Sequence, residues 1–257
     1  MTKRRLDTLM IAHGLASSID TARALIMAGR VVVDEHTVDK SGHLFPDCSI
    51  IRIKGGKGPY ASRGGLKLKK ALDEFQVEVT GLVAIDIGAS TGGFTDCLLQ
   101  AGATRVYAID VGYGQLAWKL RQDPRVVNIE RTNIRHVTPN MLDEVPDIAV
   151  IDASFISLAS VLPAAVSLVK PGGCLIALIK PQFEALKRDV DSGGVVRNAD
   201  IHERVIENMR QTAVGMGLTS VGICESPITG ADGNREFLML LQIPPRKEFT
   251  AKENQHG

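Results

Sequence analysis

Apolar positions follow two different periods along this chain. In residues 4–54, Leu6, Leu9, Met10 and Leu15 recur at helical spacing, with Gly14 suited to a C-terminal stop. Ser18 is a suitable N-cap for a second helix running through Leu25 and Ile26. Strand-like runs follow at 31–34 (VVVD) and 49–54 (SIIRIK). Segment 55–65, GGKGPYASRGG, combines five glycines, a proline and two basic residues, so it is expected to be a linker that separates a domain at 1–54 from one at 66–245.

Beyond the linker the pattern becomes a regular alternation. Apolar runs at 83–87 (VAIDI), 105–111 (RVYAIDV), 126–130 (VVNIE), 147–153 (DIAVIDA) and 174–180 (CLIALIK) are separated by helix-compatible stretches long enough for crossovers. Continuous apolar strands of this kind are buried on both faces, which predicts an α/β unit: a parallel sheet covered by helices on each side. The end differs. A helix around 199–216 precedes TSVGICESPI (219–228), the turn TGADGNR and EFLMLLQI (236–243), whose short connection predicts antiparallel neighbours. The polar tail 246–257 is expected to be poorly ordered.

The longest uncharged run, 153–169, has 17 residues, fewer than the roughly 20 that span a bilayer. It carries Pro163 and serines at 154, 157, 160 and 167, whose spacing predicts a polar stripe on a buried helix packed against the sheet. At the N-terminus, Asp7 and His13 interrupt what would be the apolar region of a signal peptide. A cytoplasmic protein with no membrane partner follows as the expectation. The four cysteines, Cys48, Cys97, Cys174 and Cys224, form no CxxC or Cys/His cluster, so they read as buried thiols and no metal is expected.

Composition changes the picture through its distribution. The 257 residues are 44% hydrophobic and 23% charged, with a net charge of +1, as for a globular protein. Residues 1–70 hold 13 Lys and Arg against 6 Asp and Glu; residues 71–257 hold 17 against 23. The near-neutral total therefore joins a basic N-terminal piece to an acidic body, a hint of polyanion binding for which a solvated basic face is the plain alternative.

Candidate chemistry begins with GASTGGF, Gly88 to Phe94, which follows the strand VAIDI and precedes a helix-like stretch. In a doubly wound sheet, ligands bind beyond the carboxyl ends of the strands, where a glycine loop lets the backbone approach closely. The loop lacks the dinucleotide G-x-G-x-x-G spacing and has no GK[ST], which leaves a nucleoside cofactor without a pyrophosphate, of which S-adenosylmethionine is the commonest. Gly88, Ser90, Thr91, Gly92, Gly93 and Phe94 are the candidate loop contacts, with Asp86 just before them. Asp110 closes the second strand, where a carboxylate can accept ribose hydroxyls or serve as an ordinary N-cap. Asn133 is placed to reach an adenine edge or to form an Asx-turn.

The strings YASRGGLKL, DIGASTGGFTD, DVGYGQLAWKLR, ERTN, DASFISL, LIKPQFE, GGVVR and GNREF, in that order, resemble the hemolysin A (TlyA) family of ribosomal RNA methyltransferases over nearly the whole chain. The C-terminal part is similar to FtsJ-like 2′-O-ribose methyltransferases and the N-terminal part to the RNA-binding domain of small-subunit ribosomal protein four. The resemblance implies a Rossmann-like methyltransferase fold, a mainly parallel seven-stranded sheet with one antiparallel strand, preceded by a small α+β RNA-binding domain. It also implies S-adenosylmethionine-dependent methylation of cytidine 2′-hydroxyls in ribosomal RNA, with ribosomal subunits as partners. The FtsJ-like Lys-Asp-Lys-Glu tetrad matches Lys67, Asp152, Lys180 and Glu236.

Transfer of a methyl group from a sulfonium to a ribose oxygen is an in-line displacement, so the protein must hold the 2′-oxygen in place and help remove its proton. Lys180 is chosen for that assistance. An ammonium accepts no proton, and Asp152 and Glu236 attract its charge, so their expected task is orientation. Arg4, Arg5, Arg23 and Arg30 in the N-terminal helices, with Lys57 and Arg63 in the linker, are the candidate RNA contacts. Two rivals compete. A haemolysin or pore-former needs an export signal and a membrane-active segment, neither of which is visible; a non-catalytic assembly factor is disfavoured by the intact loop and tetrad. A monomer is the default.

Overall fold

The computed structural model describes residues 3–34, 36–53, 58–230 and 232–246, and the chain divides into two compact units, Met1–Pro59 and Tyr60–Gly257. In the first unit, strand β1 (Lys3–Arg5) leads into α1 (Leu6–Ala12) and α2 (Ile19–Met27). Ser18 caps α2 by accepting the Thr21 N–H at 3.1 Å, and Gly14 leaves α1 at φ +68°. Next come β2 (Val31–Val33), β3 (His36–Val38), β4 (Leu44–Pro46) and β5 (Ile51–Ile53). Leu6, Leu9, Met10, Ala22 and Ile26 bury the facing stripes of the two helices against Val31, Val33, Val38 and Ile51. The β1–β4 ladder, Lys3 opposite Pro46, has no counterpart in the sequence pattern, because three residues are too few to show a period.

The second unit is a seven-stranded sheet. Its elements in chain order are α3 (Gly64–Glu74), β6 (Val83–Ile87), α4 (Gly93–Gln100), β7 (Arg105–Ile109), α5 (Trp118–Arg121), β8 (Val126–Ile129), β9 (Ile148–Ile151), α6 (Leu158–Leu168), β10 (Cys174–Ile179), α7 (Pro181–Glu184), α8 (Ala199–Gly215), β11 (Thr219–Glu225) and β12 (Phe237–Gln242). The strand order is β11-β12-β10-β9-β6-β7-β8, with β12 antiparallel to both its neighbours and the other pairs parallel. One face packs on α6 and α8, the other on α3 and α4, so both are covered as the apolar strands require.

Register brings the chemistry to one end of the sheet. In the β6–β9 pair Ile87 lies opposite Ile151, so Gly88 and Asp152 leave the sheet side by side where the strand order reverses. Ile179 lies opposite Phe237 across β10–β12, which sets Lys180 and Glu236 at the same edge.

Three sequence expectations need correction. Residues 60–65 are not linker: Tyr60 and Ala61 pack on the α3–α4 core and α3 already begins at Gly64. The uncharged run is helical only from Leu158, so Ser154 falls in the site and Ser157 caps α6, leaving Ser160 and Ser167 on the helix. Cys48 is exposed rather than buried. Lys57 and tail residues 247–257 lie outside the described residues.

Candidate active site

A cavity of about 400 Å³ opens at that end of the sheet, lined by the tetrad, the glycine loop, Ser62, Arg63, Ser154, Phe155, Gln182 and Phe183. The tetrad forms two ion pairs. Lys67 on α3 and Glu236 at the head of β12 are both buried and hydrogen-bonded to each other. Lys180 Nζ, also buried, lies 2.6 Å from Asp152 Oδ1, off hydrogen-bond geometry, and donates to Ser154 Oγ at 2.7 Å. Four segments far apart in sequence thus place two lysines and two carboxylates around one space.

The glycine loop is shaped by close approaches. Gly88 has φ +86°, and a Cβ there would stand 2.6 Å from the Asp152 carbonyl oxygen. Gly93 packs against the start of α3, where a Cβ would come within 2.9 Å of the Gly65 amide nitrogen. Lys67 is therefore held near the loop by glycine-to-glycine contact between α3 and α4. Gly92, at φ +92°, faces away from the cavity toward Leu116 and Leu120.

Of the candidate cofactor contacts, Gly88, Ser90, Thr91, Gly93 and Phe94 line the cavity, and Asp86, Gly92, Asp110 and Asn133 do not. Asp86 is fully buried beneath the loop, where it accepts the Thr95 hydroxyl at 2.6 Å and its Oδ1 has no partner. Burial pushes this carboxyl up to about 7, opposed by the Thr95 bond and reinforced by Asp152 and Asp110. Asp110 accepts Ser90 N–H at 2.7 Å on one oxygen and Gly112 N–H at 2.6 Å on the other, and so fixes the loop. Asn133 caps a short 3₁₀ turn by accepting the Arg135 N–H at 3.1 Å; this is the Asx-turn alternative.

Ser154, Gln182, Phe155 and Phe183 are site residues that sequence reasoning missed. Phe155 is 90% exposed at φ +63°, and its ring lies 5.1 Å from that of Phe183. Reading 153–169 as one helix hid it; a helix started at the Ser157 cap would have exposed the DASF loop. Gln182 Oε1 is a buried acceptor without a hydrogen-bond donor in the cavity wall. An unsatisfied acceptor beside a backbone-lined glycine loop suits a cofactor with an amino group and hydroxyls, so the residues present fit S-adenosylmethionine.

The N-terminal arginines are all engaged. Arg4 pairs with Asp47 at 2.6 Å, and Arg5 and Arg23 both hold Asp7. Arg30 is exposed, and Arg63 lines the cavity at the N-cap of α3.

A doubly wound sheet with an antiparallel last strand, a glycine loop at the switch point and a polar cavity beyond it defines a Rossmann-type methyltransferase. Comparison with known proteins narrows this class. An FtsJ-like methyltransferase model matches residues 60–243 and an S4 domain model matches residues 4–46, and the chain belongs to the FtsJ-like methyltransferase family. It is 49% identical over 243 residues to YqxC of Bacillus subtilis, covering 94% of this chain and 86% of that one. Identity is 41% to the 16S/23S rRNA (cytidine-2′-O)-methyltransferase TlyA of Mycobacterium tuberculosis, over 97% of this chain and 94% of that one. A solved hemolysin-like protein of Streptococcus thermophilus superposes with a TM-score of 0.74 at 45% identity, covering 97% and 93% of the two chains. No helix among the described residues is long and apolar enough to cross a membrane.

Proposed function

We propose that this protein methylates the 2′-hydroxyl of cytidine in ribosomal RNA, using S-adenosylmethionine and a lysine-assisted in-line transfer. The observation that carries the reading is the convergence of Lys67, Asp152, Lys180 and Glu236 as two ion pairs on a cavity walled by the glycine loop. The names of relatives such as the Mycobacterium tuberculosis TlyA supply the substrate class.

When bound, S-adenosylmethionine supplies an activated methyl group on a sulfonium. The protein's own work is to hold the ribose and manage its proton. Lys180, fixed between Asp152 and Ser154, presents a cation where negative charge develops on the 2′-oxygen as its proton passes to solvent water. Lys67, fixed by Glu236, adds a second cation and orients the hydroxyl; the two carboxylates keep both side chains in one rotamer. The exposed Phe155 ring, backed by Phe183, offers a stacking face for the target base once it leaves its helix. The N-terminal unit, with Arg4, Arg5, Arg23 and Arg30, holds the RNA through its phosphates, and Lys57 and Arg63 are further candidate RNA contacts.

Incubation of the protein with tritiated S-adenosylmethionine and rRNA tests this directly. Label at a cytidine 2′-oxygen is the expected result. Lysis of erythrocytes or liposomes without methyl transfer would favour a pore-former, and rRNA binding without transfer would favour an assembly factor.

A further inference from the structure

Among the described residues of the first unit, one acid is buried. Asp7, in the first turn of α1, is fully buried, whereas the two arginines that reach it stay about half exposed, Arg5 at 49% and Arg23 at 47% of the side chain. Arg5 closes on it as a fork: Nε donates to Oδ1 at 3.0 Å and Nη2 to Oδ2 at 2.7 Å. Arg23, from α2, donates its Nε to Oδ2 at 3.2 Å. Thr8 completes the shell with its hydroxyl 3.4 Å from Oδ1. Arg5 Nη1 and both Nη groups of Arg23 make no hydrogen bond among the described residues.

The trio keeps a net positive charge, so its outer surface is cationic while its centre is an anion. Well-packed apolar residues often match a buried ion pair in stability, so stability alone does not account for the trio. What the carboxylate adds is geometry: two long side chains, one from the strand–helix junction and one from the next helix, are held in single rotamers with spare donors outward. Such preorganisation removes the rotamer entropy that free arginines lose on meeting a ligand.

We propose that Asp7 is a positioning residue that assembles Arg5 and Arg23 into one phosphodiester-binding fork. This rests on the reading of the protein as an rRNA binder. Folded RNA presents phosphates at fixed spacing and rewards a rigid fork, whereas an anionic lipid surface is fluid and rewards the number of charges alone. The two surfaces therefore respond to Asp7 with opposite sign.

The test compares full-length wild type with Asp7→Asn for binding to a folded rRNA hairpin and to phosphatidylcholine vesicles containing phosphatidylglycerol. Asp7→Asn adds positive charge, so simple attraction predicts tighter binding to both. The fork predicts RNA affinity about tenfold weaker, with a salt slope lower by about one phosphate contact, while vesicle association holds or rises. Thermal melting checks the fold. If Asp7→Asn unfolds, the Arg5→Lys/Arg23→Lys double variant decides, since it keeps the charges and the buried acid but loses the forks; it too should bind RNA several-fold more weakly. Unchanged or tighter RNA binding by the folded variant overturns the fork, as does an equal loss on RNA and vesicles. Failure of the wild type to bind the hairpin at all overturns the functional reading itself, and the fork with it.

Discussion

Each unit of this protein buries an aspartate completely, and the two are handled in opposite ways. Asp7 meets Arg5 and Arg23, and the hydrogen-bonded Arg5 guanidinium chiefly holds its carboxyl down at about 2. Asp86 meets one threonine hydroxyl and sits near Asp110 and Asp152, so burial drives it up to about 7. Neither is exposed to solvent; hydrogen-bonded guanidinium partners lower Asp7, and desolvation without such a partner raises Asp86. The N-terminal unit holds two exposed cations on its buried acid, while the catalytic unit buries Lys67 and Lys180, each beside a carboxylate.

The largest loss is expected at the buried Lys67–Glu236 pair. Glu236→Ala leaves Lys67 uncompensated, and removing one partner of such a pair costs about 3 kcal/mol, so chemical denaturation should show a large loss confined to the catalytic unit. Gly88→Ala is next. It places a Cβ against the Asp152 carbonyl at a left-handed φ, a strain of about 1–2 kcal/mol or more. Calorimetric titration with S-adenosylmethionine should show affinity reduced about tenfold. Hydrogen–deuterium exchange should leave the first unit's protection as it was.

The two aspartates then separate by pH. Asp86 favours the folded state while protonated; that contribution is complete below its unfolded value of about 3.9 and is lost as pH rises through about 7. Asp86→Asn should therefore gain on the wild type in melting temperature from pH 5 to pH 8. Asp7 has the reverse sign. Its contribution is present above about 3.9 and is lost as pH falls toward about 2. Acid unfolding of the first unit, followed by circular dichroism, should begin in that window and should shift least of all these effects in Asp7→Asn. If both variants moved in the same direction with pH, the neighbour-charge explanation would fail.

Much of the architecture was legible because buried strands are nearly pure apolar runs: Ala84–Ile87 and Ile148–Ile151 could belong to nothing else. Ser18 and Gly14 marked helix ends through chemistry that acts locally. The tetrad was legible through resemblance, since nothing in local spacing tells Lys67 from Lys69 or Lys70; only the fold points Lys67 inward while Lys69 and Lys70 pair with Asp73 and Glu74 on the surface. Roles that depend on competition between partners were not legible. The backbone N–H groups that Asp110 and Asn133 accept cannot be read from spacing, and Phe155 was masked by an apolar run that continues past a helix cap. The linker boundary failed for a related reason. Glycines at 64 and 65 read as flexible, yet serve as close-packing surface for Gly93.

Lys180, held by Asp152 and Ser154, is proposed to stabilise the charge that develops on the ribose oxygen as its proton leaves for water. Single-turnover methylation of rRNA by Lys180→Ala, with S-adenosylmethionine binding verified by titration, tests it most directly. The rate should fall by about 10²–10⁴-fold with cofactor affinity retained. A rate within a fewfold of wild type would contradict the account.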